Sequence, residues 1–459
     1  MKIHFPHRHF RSSRACLLAL VSVLAGCAQY RPALIHPAVS ASALMARRLD
    51  QPKLHRFLTE MGVHPHITWS LHALTLVAVY ERPELKVSVA AYDAAKAAII
   101  IARQIPNPTL SLSPTVNATH AFPSPIKIGP VISFLISNLG AREAGIAAAQ
   151  DRRQAARTLI AAAAWRERAS VRDALLTLWL DEHAARLKRL DAAYATTAAD
   201  LIAQRVRSGM LAETALAAAT ETADAAEFDA TEAGSRIGVD RARLAATIGM
   251  PAAALRGVKL GFNMFSRGPA PPLSLPSLIR TALVTRPSVV AALARYQAAD
   301  AALREAIDQQ FPGFQIGPGY HYDQGDNKFI ISLSLPLPIL NQNQGPVAEA
   351  RARRHLAAAA FDQVQAHVLR QIDSAEAALR GSRTITQSAQ HLVTIAGQRE
   401  QQATQAFRAG ATGRLRMVEA KRQAVLAREQ ALTAKAKLLH ALAHLADALH
   451  HPIFEENPA

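Results

Sequence analysis

Apolar positions recur along most of this chain at helical spacing, and proline and glycine divide it into elements. From about 141 to 207 there is no proline and glycine appears only at Gly145. A helix of that span measures about 100 Å at about 1.5 Å per residue. A second stretch, about 346–409, is nearly as long. Two shorter ones, about 213–249 and 276–310, measure about 55 and 52 Å, so one long rod equals two short ones joined end to end. Residues 83–105 and 287–311 read as alanine-rich helices opened by Pro83 and Pro287, where a missing N–H is harmless. Between helices the period changes to two. Thr109–Asn117 sets Leu110 and Leu112 against Ser111 and Ser113. Ile126–Ser137 puts Ile126, Ile128, Ile132, Phe134 and Ile136 on one face. Phe314–Tyr322 and Phe329–Leu337 alternate in the same way, with Phe329, Ile331, Leu333, Leu335 and Leu337 together.

These elements occur twice. Pro83, Tyr92 and Pro108 align with Pro287, Tyr296 and Pro312 at one common offset, and further on Gly209 aligns with Gly410. Two matches in the same order indicate a duplicated helix-strand-strand-helix unit, too long for a solenoid repeat. The expected organisation starts with a signal peptide at 1–26 and an N-terminal lipidated segment at 27–69. A first repeat at 70–249 holds strands at 109–137 and a hairpin tip near 207–213. An equatorial connector rich in Pro and Gly follows at 250–275. A second repeat at 276–450 holds strands at 314–340 and a tip near 409–413, and 451–459 is a C-terminal tail.

The strands have the length and alternation of outer-membrane barrel strands, and equally of a soluble sheet with one wet face. Rods of about 100 Å favour a coiled-coil conduit over a compact domain. Four strands cannot close a barrel, which needs about eight or more. In lipid every strand edge must be paired, so strands that enter the membrane imply several copies, and three would supply twelve strands.

Composition sharpens this picture. The chain is 50% hydrophobic but only 5% aromatic, with alanine dominating, which suits long helices better than a bulky catalytic core. Its two cysteines, Cys16 and Cys27, both fall in the first 27 residues, which excludes a disulfide scaffold, a zinc ribbon and a thiol enzyme. Residues 1–14 carry Lys2, Arg8, Arg11 and Arg14 and no acid. The apolar run that follows is about 12 residues, too short to span a bilayer and right for a signal peptide. It ends in Leu24-Ala25-Gly26-Cys27, which resembles a lipobox, so Cys27 is the expected lipidation site. Removing the signal takes four positive charges from a formal +17. The basic balance does not point to nucleic acid, because the arginines are scattered among acids.

The chain resembles the TolC-like outer-membrane efflux protein family over nearly all its length after the signal. The residues that carry the likeness are Arg286-Pro287, Phe311-Pro312-Gly313-Phe314, Gly317-Pro318-Gly319-Tyr320 and the Ser332–Gly345 run. Within that run, Pro336–Gly345 looks most like the heavy-metal (CzcC-like) branch. The duplicated turns at Ser208-Gly209 and Ala409-Gly410 resemble the family's periplasmic hairpins, and Leu244–Pro251 its end-of-hairpin motif. The resemblance implies a mainly α fold with a small β part. In it a trimer shares a transmembrane β-barrel, four strands per chain, above a long coiled-coil α-barrel. It implies passive export through the outer membrane, in concert with a periplasmic adaptor (a membrane fusion protein) and an inner-membrane transporter. Ser208, Gly209, Ala409, Gly410 and Gly413 are then the adaptor-docking tips. The family often has acids just after the second turn, lining a gate; those positions are Arg416 and Glu419 here, so the first reverses sign. Either an Arg ring tunes the gate, or Arg416 and Glu419 pair at i,i+3, or both are solvated surface charges.

Other chemistry is thin. His440 and His444 are spaced as two ligands on a helix would be, but without the glutamate of a metalloprotease motif. No phosphate-binding loop, dinucleotide fingerprint or nucleophile constellation is present. No enzyme activity, cofactor or metal site is expected. The rival reading is a periplasmic coiled-coil lipoprotein scaffold without a pore.

Overall fold

The computed structural model describes residues 30–64, 68–116, 118, 126–266, 275–323 and 325–452. The expected signal peptide at 1–26, the expected lipidation site Cys27 and most of the 451–459 tail lie outside the described residues. Two units are distinguished, Met1–Arg47 and Arg48–Ala459. In the first, helix α1 (Pro37–Met45) opens on a proline and buries no residue. The expected 27–69 segment falls across both units, with Arg48 onward in the second.

In the second unit the chain forms α2 (Pro52–Glu60), α3 (Leu71–Glu81), α4 (Pro83–Arg103), β1 (Thr109–Leu112), β2 (Thr115–Val116), β3 (Ile126–Ile128) and β4 (Pro130–Ile136). Next come α5 (Leu139–Arg207) and α6 (Glu213–Thr247), then α7 (Leu275–Thr285) and α8 (Pro287–Asp308). The second half closes with β5 (Phe314–Asp323), β6 (Asp326–Ser334), α9 (Gln344–Arg408) and α10 (Arg414–Leu449). The order α3-α4-strands-α5-α6 thus recurs as α7-α8-strands-α9-α10.

Proline sets several of these boundaries. The 276–310 stretch is two helices, the second opened by Pro287, because a residue before proline is pushed out of the helical region. Arg286 has φ −56° and ψ 133°, and Arg82 before Pro83 has φ −73° and ψ 135°. The last strand ends at Ser334 and not at Leu337, since Pro336 and Pro338 have no N–H to give a ladder. Pro114 and Pro130 likewise flank the interruptions that split the first two strands into β1/β2 and β3/β4.

All strands join one antiparallel sheet of four passes: β1/β2, β3/β4, β5, β6. β1 pairs β4, β2 pairs β3, both β3 and β4 pair β5, and β6 pairs β5, with one register kept across both interruptions. Among the described residues the first and last passes are free edges.

Asn138 caps α5 through its own Oδ1, which accepts from Gly140 N at 2.9 Å, while its Nδ2 donates to Asp308 O at 2.7 Å. Asn343, ahead of α9, donates Nδ2 to Ala306 O at 2.6 Å. Both long helices therefore start from the C-terminal end of α8, just below the sheet. The main core lies far along the rods. There Leu54 and Leu58 of α2, Leu74 and Val77 of α3, Leu175 and Trp179 of α5, Ile372 of α9 and Leu442 of α10 are buried together. The connector packs here too: Leu255 and Phe265 are in this core, and Trp69 N donates to Lys259 O at 2.9 Å. Near the tips the seam is alanine only, Ala192 and Ala195 of α5 against Ala223, Ala226 and Ala230 of α6. Small side chains let these helices approach closely along their length.

Candidate functional site: a two-faced sheet, paired tips and locked rods

Cross-strand partners share a face of the sheet, so the register sorts every side chain. Leu110 lies opposite Ile132, Phe134 opposite Ile316, Ile316 opposite Leu333, Pro318 opposite Ile331, and Tyr320 opposite Phe329. Val116 opposite Ile126 and Ile128 opposite Tyr322 continue the same face. It is almost wholly apolar and uncovered: Phe329 is 87%, Ile331 79% and Leu333 68% exposed. The other face carries Thr109 opposite Ser133, Gln315 opposite Ser334, Gly317 opposite Ser332, and His321 opposite Lys328. On that face Asp323 pairs with Lys328 at 2.9 Å and with Lys127 at 3.6 Å. A Cβ on Gly129 would fall on the imidazole of His321, so glycine there makes room for the ring. The expected alternation is present in all four passes.

At the far end, both long helices stop on the same device. Gly209 (φ 74°) and Gly410 (φ 72°) take the left-handed conformation that glycine adopts without strain. Met210 N donates to Arg205 O at 2.8 Å, and Ala411 N donates to Ala406 O at 2.8 Å, closing both helix ends with a Schellman bond. Ser208, Gly209, Ala409, Gly410 and Gly413 are all exposed. The two tips are also neighbours: a Cβ on Gly413 would stand 3.0 Å from Arg205 Nη2 of the first tip. Met210 and Leu211, which the sequence does not single out, add exposed apolar surface at the first tip.

Behind the tips α5 is locked to its neighbours by ion pairs. Lys188 reaches Asp229 of α6 at 2.9 Å and Glu429 of α10 at 3.1 Å. Arg422 of α10 holds buried Asp191 at 2.9 Å, and Arg428 joins Glu400 of α9 at 3.1 Å. Arg416 and Glu419, one turn into α10, are both exposed, and no ion pair joins them. Nearer the middle of the rods, Arg172 is fully buried and bound to Asp447 and Asp173. His440 is half-buried, and burial pulls its imidazole below the ordinary histidine range. Among the described residues no group of three or more His, Cys, Asp or Glu side chains is placed to hold a metal ion.

Residues 278–450 match the family model for outer membrane efflux proteins. The cobalt-zinc-cadmium resistance protein CzcC of Cupriavidus metallidurans is 24% identical over 289 residues, which cover 61% of this chain and 66% of that one. The chain thus aligns with just under two thirds of that relative's length. Among solved structures, the outer membrane protein VceC of Vibrio cholerae superposes with a TM-score of 0.66 at 18% identity, covering 83% of this chain and 96% of that one. The open-state MtrE outer membrane channel of Neisseria gonorrhoeae gives 0.66 at 18%, covering 83% and 89%. At that identity the likeness is one of fold: long helical rods carrying a small sheet.

Proposed function

We propose, from the premise that residues 278–450 are an outer membrane efflux protein domain, that this chain is the outer-membrane channel of a tripartite efflux system. It passes small solutes passively, with the energy supplied elsewhere, and it has no catalytic role. The observation that carries this reading is the sheet. Among the described residues its apolar face is uncovered, its other face is mostly small, polar and charged residues interrupted by Val131, Leu135 and Ile330, and both its edges are free. A soluble scaffold would bury the apolar face; a barrel strand turns it to lipid and its polar partner to a wet lumen. Free edges inside lipid cost several kcal/mol per unpaired group, and three copies would pair them all in a closed barrel of twelve passes.

On this reading Cys27 is acylated and anchors the trimer to outer-membrane lipids, with the helices extending into the periplasm. The tips at Ser208-Gly209 and Ala409–Gly413 meet a periplasmic adaptor that links the channel to an inner-membrane transporter. Arg416 and Glu419 flank a gate. The likeness to CzcC makes cobalt, zinc and cadmium ions the first cargo to test, ahead of drugs.

Two neighbouring substitutions test the reading. Ile331→Arg places a charge on the apolar face, at a cost of about 2–4 kcal/mol near the bilayer midplane. It should abolish insertion into vesicles. Ser332→Arg, on the opposite face, should insert normally and alter ion flow. Equal tolerance of both would show that this sheet does not lie in lipid.

A further inference from the structure

The duplication provides an internal control on one arginine. In the first repeat Arg82, just before Pro83, is held by two carboxylates: Glu84 at 2.6 Å and buried Glu167 of α5 at 2.6 Å. In the second repeat Arg286, just before Pro287, makes the corresponding reach across to α9. It lands on Gln371, whose Oε1 accepts from Nη1 at 2.8 Å, and on Ala448 O at 3.1 Å. Each arginine contacts the residue 85 positions further on. The residue in the place of Glu84 is Ser288, and the residue in the place of Glu167 is Gln371. Both carboxylates of the first repeat have therefore become neutral polar groups in the second.

The surroundings of Arg286 do not make up the loss. It lies in the wall of a cleft of about 420 Å³ between α5, α8, α9 and the end of α10. That wall also carries Arg166, Arg370, His367 and His450, and no carboxylate. Arg166 and Arg370 are exposed and make no hydrogen bond or ion pair among the described residues. Ser288 Oγ and His450 Nε2 have no hydrogen-bond partner either. Asp447 is near, but its two oxygens are taken by Arg172 and Trp165. The two arginines show the difference: the hydrogen bond that Arg82 donates to Glu84 holds it above its ordinary range, whereas burial pulls Arg286 below its own.

We propose that this cleft is an anion-binding site, taking a phosphate or carboxylate group that supplies to Arg286, Arg166 and Arg370 the charge that Glu84 and Glu167 supply to Arg82. Guanidinium forks suit such planar or tetrahedral oxyanions, and a partly buried cation gains most from one. Two sources share this chemistry. One is a free periplasmic anion; the other is this chain's own Glu455 and Glu456, a few residues after His450 in the sequence.

The test is calorimetric titration of inorganic phosphate into the full chain in detergent at low salt. Saturable binding is expected, weakened at least about tenfold in Arg166→Gln/Arg370→Gln, whose side chains are exposed. Gln371→Glu restores the first repeat's carboxylate. It should weaken phosphate binding as much, and raise the melting temperature while removing the further rise that phosphate gives wild type. Binding that appears only in Glu455→Gln/Glu456→Gln identifies the chain's own carboxylates as the occupant; binding unchanged by that variant identifies a free anion. No saturable binding in either background, or binding indifferent to Gln371→Glu, overturns the proposal.

Discussion

Arg172 and Asp447 stand 275 positions apart and meet as a fork: Nη1 on Oδ1 at 3.0 Å and Nη2 on Oδ2 at 2.7 Å. The guanidinium is fully buried, so the pair ties the middle of α5 to the last turn of α10 inside the main core. Asp173 Oδ1 takes Arg172 Nε at 3.0 Å, and Trp165 Nε1 donates to Asp447 Oδ1 at 3.2 Å. Removing one partner leaves a buried charge without its main counterion. Asp447→Ala is expected to cost about 3–5 kcal/mol, read by chemical denaturation. A cost under about 1 kcal/mol, the scale of an exposed pair, would mean that water reaches this arginine.

Asp240 of α6 is buried and faces Asp181 of α5, and burial together with that like charge pushes its carboxyl up to about 6. The folded state therefore holds this proton more tightly than the unfolded chain, whose aspartate titrates near about 4. The contribution is most favourable below that value, is lost as pH rises towards about 6, and is constant above it. Asp240→Asn should raise the melting temperature at pH 7.5 and leave it nearly unchanged at pH 4. A wild-type profile flat from pH 4 to 7, once the variant's own profile is subtracted, would contradict this.

The tip glycines carry their conformation, not only their size. Gly209→Ala and Gly410→Ala should each cost about 1 kcal/mol, since a side chain resists positive φ. Gly413 differs: its φ is −74°, and its constraint is the nearby Arg205. Gly413→Leu is therefore expected to keep the helices folded but separate the two tips, lowering adaptor binding in a pull-down far more than thermal stability. Unchanged adaptor capture would move the docking surface away from the tips.

Among the described residues Arg416 has no carboxylate partner, so in the proposed trimeric gate its charge would be free to act on passing ions. Arg416→Asp should shift the reversal potential in a salt gradient towards cation selectivity. An unchanged reversal potential would leave Arg416 and Glu419 as solvated charges on the surface of α10.

Much of this architecture is written in punctuation that a reader of the sequence can follow. Pro83, Pro287, Gly209 and Gly410 mark helix ends because their backbone chemistry acts locally. The alternation read in 126–136 and in 329–334 survives because both faces of a sheet are set by period two. What stayed hidden depends on distance along the chain. Nothing near Arg172 names Asp447, and nothing in 250–266 says that Leu255 and Phe265 enter the core. Pro336 and Pro338 were visible, yet the greasy residues around them extended the apparent strand by three positions. The contrast between Glu167 and Gln371 was also in the sequence, but it acquires meaning only when Arg82 and Arg286 are seen reaching for them.

The central claim is that three copies close these four-pass sheets into one conducting barrel. Planar-bilayer recording on the purified chain, with its native mass determined in the same detergent, tests it most directly. The expected result is a trimer that conducts in discrete, reproducible steps. A monomer, or a trimer that never conducts, would contradict it.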